Sequence, residues 1–303
     1  MMPSPGRSRQ TDVPATLAIL ASTLLWGTLW IPLRRLDGAG GSGAWATTAG
    51  FTLPLLVLLP MGLVRWRRIV AGGAPLLAGG FLMAAAIALY AEGLVRGQIA
   101  RVILLFYLMP VWSTLLARLM LGDPITGHRA LTVALGLGGM FAVFGAVPLP
   151  HMIADWMGLA SGIACALSMV FLRRMQRVAD FEKLFVQFLF LGVLFFLFTL
   201  APGGRSRTAP DAAVLVDSAR WLLAFGLLWI PGVLWLTLFG ASRVEPGRVA
   251  ILLMLEVVVG LASAALLTDE PLGPRELVGA LLIMSACGAE LLAGRRLGTT
   301  GDP

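Results

Sequence analysis

Apolar residues run along this chain in ten long blocks, and most polar residues are gathered between the blocks. The blocks fall at about 14–34, 44–64, 74–95, 99–121, 128–148, 154–174, 182–201, 219–240, 246–267 and 273–294. Each holds about 17–25 mostly apolar residues, the length at which a helix crosses a ~30 Å hydrocarbon layer. The pattern therefore predicts an all-α integral membrane protein of ten transmembrane helices. Glycine, serine and proline mark the connectors, as in Gly38 to Gly43 and Ala201 to Arg205, and the longest connector is Pro202 to Asp217. The first block follows a polar start and is too long for a signal-peptide core, so it should stay attached as a membrane helix.

Composition sharpens this picture. Of 303 residues, 58% are hydrophobic and 13% charged, against the roughly 45–50% and 25% of a soluble domain. The blocks take up about two thirds of the chain, and the short connectors hold no soluble catalytic domain of the typical ~100 residues. The formal charge of +7 does not indicate nucleic acid, because the basic residues sit in small groups at helix ends, as in Arg65, Arg67 and Arg68. With both tails on the cytoplasmic side, the inner segments collect 15 of the 23 Lys/Arg and the outer connectors 8, the bias that orients multispan proteins. The expected partners are the lipid bilayer of the cell's inner membrane and a small-molecule substrate. Cys165 and Cys287 lie inside apolar blocks and read as small buried residues.

The chain also repeats itself. Arg101 to Pro124 lies over Arg248 to Pro271 without a gap, matching Arg101/Arg248, Val102/Val249, Leu105/Leu252, Leu108/Leu255, Ala117/Ala264 and Pro124/Pro271, with Asp123 on Glu270. A second register lays Leu20-Ala21-Ser22 and Leu33-Arg34-Arg35 over Leu159-Ala160-Ser161 and Leu172-Arg173-Arg174. Two five-helix halves follow, 14–150 and 151–296, between a cytoplasmic tail 1–13 and a second tail 297–303. Five is odd, so the second half must enter the membrane from the opposite side. Such inverted repeats serve alternating access, with the substrate near the midplane where the halves meet.

These residues resemble the EamA-like branch of the drug/metabolite transporter superfamily. The resemblance rests on Leu25-Trp26-Gly27, on Tyr107-Leu108-Met109-Pro110-Val111 through Leu121-Gly122-Asp123-Pro124, and on Leu255-Glu256-Val257 through Asp269-Glu270-Pro271-Leu272. The family often has proline after the ninth-helix glutamate, where this chain has Val257, and glutamate where it has Asp123. The resemblance implies a carrier of small metabolites, amino acids or drugs, often outward, around a cavity lined by helices 1, 3, 4, 6, 8 and 9.

Glu256 is the first candidate for a substrate or proton site, since it lies near the middle of the ninth block, where an ionised carboxylate costs about 2.5–3.5 kcal/mol on insertion scales. It is expected to face a cavity, as proton carrier or partner of an amine, or else to pack protonated against a neighbouring helix. Gly260 and Ser263 share its helical face. Trp26 and Tyr107 are candidate pocket walls, with Trp229 as a supporting wall. Trp30 and Tyr90 are candidates too, although both could instead belong to the aromatic belt at the membrane interface. Pro110, Pro231 and Gly232 weaken the backbone ladder where a hinge, or merely a static kink, would form. Trp112 and Trp235 read as packing residues, and Gly158 to Gly162 as a small-xxx-small contact. Glu92, Arg96 and Arg101, and Glu245, Arg243 and Arg248, are either gating ion pairs or solvated charges. Glu290 is expected to reach the cytoplasmic interface near Arg295 and Arg296.

Enzymatic signals are weak. The Gly38 to Gly43 run matches GxGxxG but follows a membrane helix instead of a strand, and Lys183 is the only lysine, which excludes a P-loop. His128 and His151 fall on connectors on opposite sides, so no metal site or cofactor is expected. The reading is a non-enzymatic secondary transporter that exports a small organic metabolite, amino-acid-like or amino-acid-derived, or a drug, with proton coupling possible. Uptake by the same fold and a non-transporting scaffold or sensor are the alternatives.

Overall fold

The computed structural model describes residues 13–29, 31–32, 43–97, 99–145, 149–200, 212–267 and 272–299, and among them the regular elements are all helices. In chain order these are α1 (Val13–Gly27), α2 (Gly43–Val64), α3 (Trp66–Ala71), α4 (Gly73–Arg96), α5 (Ile99–Phe106), α6 (Met109–Leu121) and α7 (Gly127–Phe144). They continue with α8 (Ile153–Arg174), α9 (Asp180–Leu200), α10 (Ala212–Leu223), a π-helical turn (Ala224–Trp229), α11 (Ile230–Ala241), α12 (Pro246–Leu253), α13 (Leu255–Leu267) and α14 (Pro274–Thr299).

Eight helical stretches of the described residues are long and apolar enough to cross a membrane, and two more, Val13–Gly27 and Thr48–Val64, are apolar but shorter. α1 ends at Gly27 and the chain is helical again at 31–32, the expected end at 34 lying outside the described residues; α3 is an unexpected extra helix in the connector after α2. Gly122, at a φ of +77°, ends α6 in the left-handed conformation that glycine adopts without strain, just before Asp123-Pro124.

The fourth and ninth blocks, expected to be continuous, are broken as well. In the fourth, Pro110 has no amide hydrogen to give the carbonyl of Phe106. The chain tightens instead, with Leu108 N bonding to Leu105 O and Val111 N to Leu108 O. The hydroxyls of Ser113 and Thr114 donate to the Pro110 carbonyl at 3.2 and 2.7 Å. In the ninth block the break is at Met254, where Met254 N reaches Ile251 O and Val257 N reaches Met254 O, each at 3.1 Å. No proline is involved there. In the register that pairs Arg101 with Arg248, Tyr107 falls on Met254, so the two breaks stand at aligned positions.

Glycines set the closest helix contacts, as expected where backbones must approach without a hydrophobic driving force. A Cβ on Gly158 would stand 2.7 Å from the Val102 carbonyl of α5, and one on Gly162 2.6 Å from the Phe106 carbonyl. Gly139 of α7 and Gly279 of α14 face each other's carbonyls in the same way. The pairing of elements follows a pattern. α8 packs on α4, α5 and α6, while α1 packs on α11, α12 and α13; α7 pairs with α14, and α2 with α9.

Charged side chains close the ends of the bundle. Arg101 donates to Asp155 at 3.3 and 3.0 Å and approaches His151 at 2.7 Å. Glu92 accepts from Arg96 at 2.7 Å. Asp180 accepts from Lys183 and from Arg243 at 3.2 and 2.8 Å, with Lys183 also on Ser242. Glu290 of α14 is buried, 3% exposed, against α7, where Arg129 and Thr132 donate to its Oε1. A buried carboxylate needs such partners, and two donors on α7 supply them.

Candidate functional site

Both breaks open onto one cavity of ≈ 230 Å³. Trp26 enters its wall from α1, Tyr90 from α4, Phe106 from α5, Cys165 from α8, Thr237 from α11 and Glu256 from α13. Helices of all six expected blocks thus contribute. The second and seventh blocks add Phe51 and Gln187. The lining is mostly apolar, and its polar groups are few and convergent, the composition usual for small-molecule sites. The volume lies below the ~300 Å³ at which drug-sized pockets begin.

Glu256 is the second residue of α13, just after the break at Met254. Its Oε1 accepts a hydrogen bond from the hydroxyl of Tyr107, which sits at the aligned break after α5. Tyr107 is 1% exposed and stands behind the cavity wall, meeting the cavity through Glu256. Its ring packs edge-on against Phe106, whose other side meets Tyr90, with centroids 5.2 and 4.7 Å away. Tyr90 therefore lines the cavity, the pocket alternative to an interfacial belt.

Trp26 lines the cavity and donates its indole N–H to Thr237 Oγ1 at 3.2 Å. Thr237 in turn donates to the Val233 carbonyl at 2.8 Å, so the ring is held by α11. Trp229 is not among the lining residues. Its indole donates to the Leu25 carbonyl at 3.2 Å, which fixes the end of α1 from behind. Trp30 lies outside the described residues. The face shared by Glu256, Gly260 and Ser263 is not a cavity wall throughout: Gly260 lies against the Gly27 carbonyl, and Ser263 donates back to the Gly260 carbonyl at 3.0 Å.

Pro110 is buried at the start of α6. Pro231 has no N–H for the Leu227 carbonyl, and the preceding residues, Ala224–Trp229, relax into the π-helical turn. That turn presents Phe225 to the cavity, its ring edge-on to Phe51 at 6.3 Å. Gly232 has open space where a Cβ would stand.

Sequence reasoning passed over Gln187 and Thr237. Gln187 is 2% exposed, and an amide inside an otherwise apolar block was a readable sign of a polar wall. Among the described residues no group of three or more His, Cys, Asp or Glu could hold a metal ion.

Comparison with known proteins follows this geometry. A model of the EamA-like transporter family matches residues 13–145 and 152–289. The chain is 29% identical over 185 residues to a probable amino-acid metabolite efflux pump of Escherichia coli strain K12, covering 57% of this chain and 61% of that protein. The chain thus matches less than two thirds of the relative's length. A protein of known crystal structure shares the fold with a TM-score of 0.67 at 21% identity, over 94% of this chain and 99% of that one.

Proposed function

This chain belongs to the EamA-like transporter family, within the drug/metabolite transporter superfamily, and on that premise we propose that it is a secondary carrier exporting a small amino-acid-like metabolite. The observation that carries the reading is the cavity between the two aligned helix breaks, where Glu256 meets Tyr107 beside Trp26. One carboxylate in an apolar space is suited to hold an ammonium group or to take up and release a proton. The aromatic wall adds cation–π attraction. In this reading ten helices form two inverted halves, 14–150 and 151–296, and both tails face the cytoplasm across the inner membrane. The reciprocal packing of α8 on α4 to α6 and of α1 on α11 to α13 supports a two-fold relation between the halves.

Alternating access then has a physical basis. One half rocks against the other around the cavity, and the breaks at Tyr107 and Met254 and the π-turn before Pro231-Gly232 are where backbone hydrogen bonds are already rearranged. Binding of cargo at Glu256 replaces the contact with Tyr107, which joins α5 to α13. No covalent step enters this cycle.

Metabolite profiling of cells and medium tests the proposal, comparing a deletion strain, wild type and Glu256→Gln. The expected result is a compound that accumulates inside the deletion strain, disappears from its medium, and is restored by wild type but not by Glu256→Gln. Depletion inside with excess outside reverses the direction to uptake. No difference between deletion and wild type counts against transport.

A further inference from the structure

A second cavity, of ≈ 590 Å³, opens at the end of the bundle where α6 stops and α12 starts. Its walls carry Arg129, Arg248, Glu245, Glu290 and His128. Arg129 takes both glutamates, Nη2 to Glu245 at 2.8 Å and Nη1 to Glu290 at 3.1 Å, tying α7 to α14 and to the start of α12. Arg248 is left over. Its Nε is buried without a hydrogen-bond partner, and among the described residues no carboxylate closes an ion pair with it.

The internal repeat shows what is missing. Arg248 aligns with Arg101, which is held by Asp155 at 3.0 and 3.3 Å. The register that lays Leu20 over Leu159 puts Thr16 in the place of Asp155. α1 packs on α12 as α8 packs on α5, and the Thr16 hydroxyl is itself buried without a hydrogen-bond partner. Among the described residues, Arg101 is held by a directly hydrogen-bonded counter-ion, whereas Arg248 has only the through-space attraction of Glu290 and Glu245, both already bonded to Arg129. A half-buried guanidinium with no direct carboxylate partner keeps hydrogen-bonding capacity to spare, and here it lines a space that an anion can enter.

We propose that this cavity is a docking subsite for the carboxylate of the transported molecule, with Arg248 as its ligand. The proposal rests on the export reading, in which this end of the bundle is the cytoplasmic mouth where cargo loads. A guanidinium fork matches a carboxylate with two parallel N–H donors. Glu245, Glu290 and Asp123 in the same wall repel any anion, a doubly charged phosphate about twice as strongly as a carboxylate, so a monoanion is the better fit. Arg248 and Glu256 are eight residues apart, about 12 Å along the helix at 1.5 Å per residue. That exceeds the span of one amino acid, so the subsite is a stop distinct from the central cavity.

The test uses the full-length protein in detergent and three probes: isobutyrate, its neutral isostere isobutyramide, and inorganic phosphate at equal ionic strength. Isobutyrate is expected to raise the Tm saturably, and isobutyramide and phosphate are not. In Arg248→Gln the isobutyrate midpoint should weaken by about tenfold or more, the loss of roughly 1.4 kcal/mol. Thr16→Asp, which supplies an internal carboxylate at the aligned position, should weaken it likewise and serves if the first variant does not fold. Equal responses to acid and amide, a stronger response to phosphate, or an unchanged midpoint in either folded variant overturns the assignment. Metabolite export is read separately in cells: its absence with isobutyrate binding intact removes the transport reading, and its presence without isobutyrate binding removes only the subsite.

Discussion

The hydroxyl of Tyr107 donates to the carboxylate of Glu256, and the two residues stand at breaks that occupy aligned positions in the two repeats. This bond ties the break after α5 to α13 behind the cavity wall. Tyr107→Phe removes the donor without changing the ring's volume and leaves one carboxylate oxygen without its partner, a cost of about 1–3 kcal/mol. The expected outcome is a lowered Tm together with reduced export. Glu256→Gln keeps an oxygen acceptor for Tyr107, so it should lower the Tm less than Tyr107→Phe while abolishing export. Thermal unfolding and transport measured on the same two variants check the pair of results.

Gly27 ends α1 directly against α13. A Cβ there would stand 2.5 Å from the Glu256 carbonyl and 2.6 Å from Cβ of Val259, closer than any relaxed packing allows. Gly27→Ala must push the two helices apart and is expected to destabilise by about 1–3 kcal/mol, the range for overpacking. Gly260→Ala on the facing helix meets only the Gly27 carbonyl at 3.5 Å and should be tolerated. Comparing the Tm of the two variants checks the contact, and equal values count against it.

The helical blocks and the break at Pro110 were legible because composition and proline are local signals. The break at Met254 was not, since the flanking run Leu252-Leu253-Met254-Leu255 reads as uninterrupted helix and only the tertiary setting tightens the turn. The hydrogen-bond partners of Trp26 and Trp229 were also out of reach. Thr237 and Leu25 lie 211 and 204 residues away, and nothing in a tryptophan's own neighbourhood distinguishes a ring that lines a cavity from one that braces its wall. The partner of Glu290 was hidden for a related reason: nearby Arg295 and Arg296 were visible in sequence, whereas Arg129, 161 residues away, was not.

Pro231-Gly232 offers a test of hinging that packing does not confound. No atom lies within 4 Å of a Cβ built on Gly232, and its φ is not in the left-handed region. Gly232→Ala therefore costs nothing sterically, and by restricting the unfolded chain it should stabilise by about 0.4–1 kcal/mol. If the segment flexes during transport, the same change slows export. A higher Tm with a lower export rate is the expected pair, and an unaltered rate assigns the glycine to a static kink.

Asp155 is the counter-ion that holds Arg101, and its side chain is 1% exposed while that of Arg101 is 24% exposed. The backbone N–H groups of His151 and Met152 also donate to its Oδ2, at 3.1 and 3.2 Å. The carboxylate therefore organises the start of α8 as well as the ion pair. Asp155→Asn keeps one acceptor oxygen but loses the charge, so hydrogen bonds worth about 1.5–3 kcal/mol to a charged group are weakened. Arg101→Gln should cost less, because the acid retains its two backbone donors. A double-mutant cycle on Tm and denaturant midpoints isolates the pair, since residues in direct contact couple by about 0.5–3 kcal/mol. The same cycle on Arg248 and Thr16 should give a coupling near zero, as expected of an arginine whose aligned partner carries no charge, and a coupling as large as that of Arg101 and Asp155 would mean that the two side chains are in direct contact.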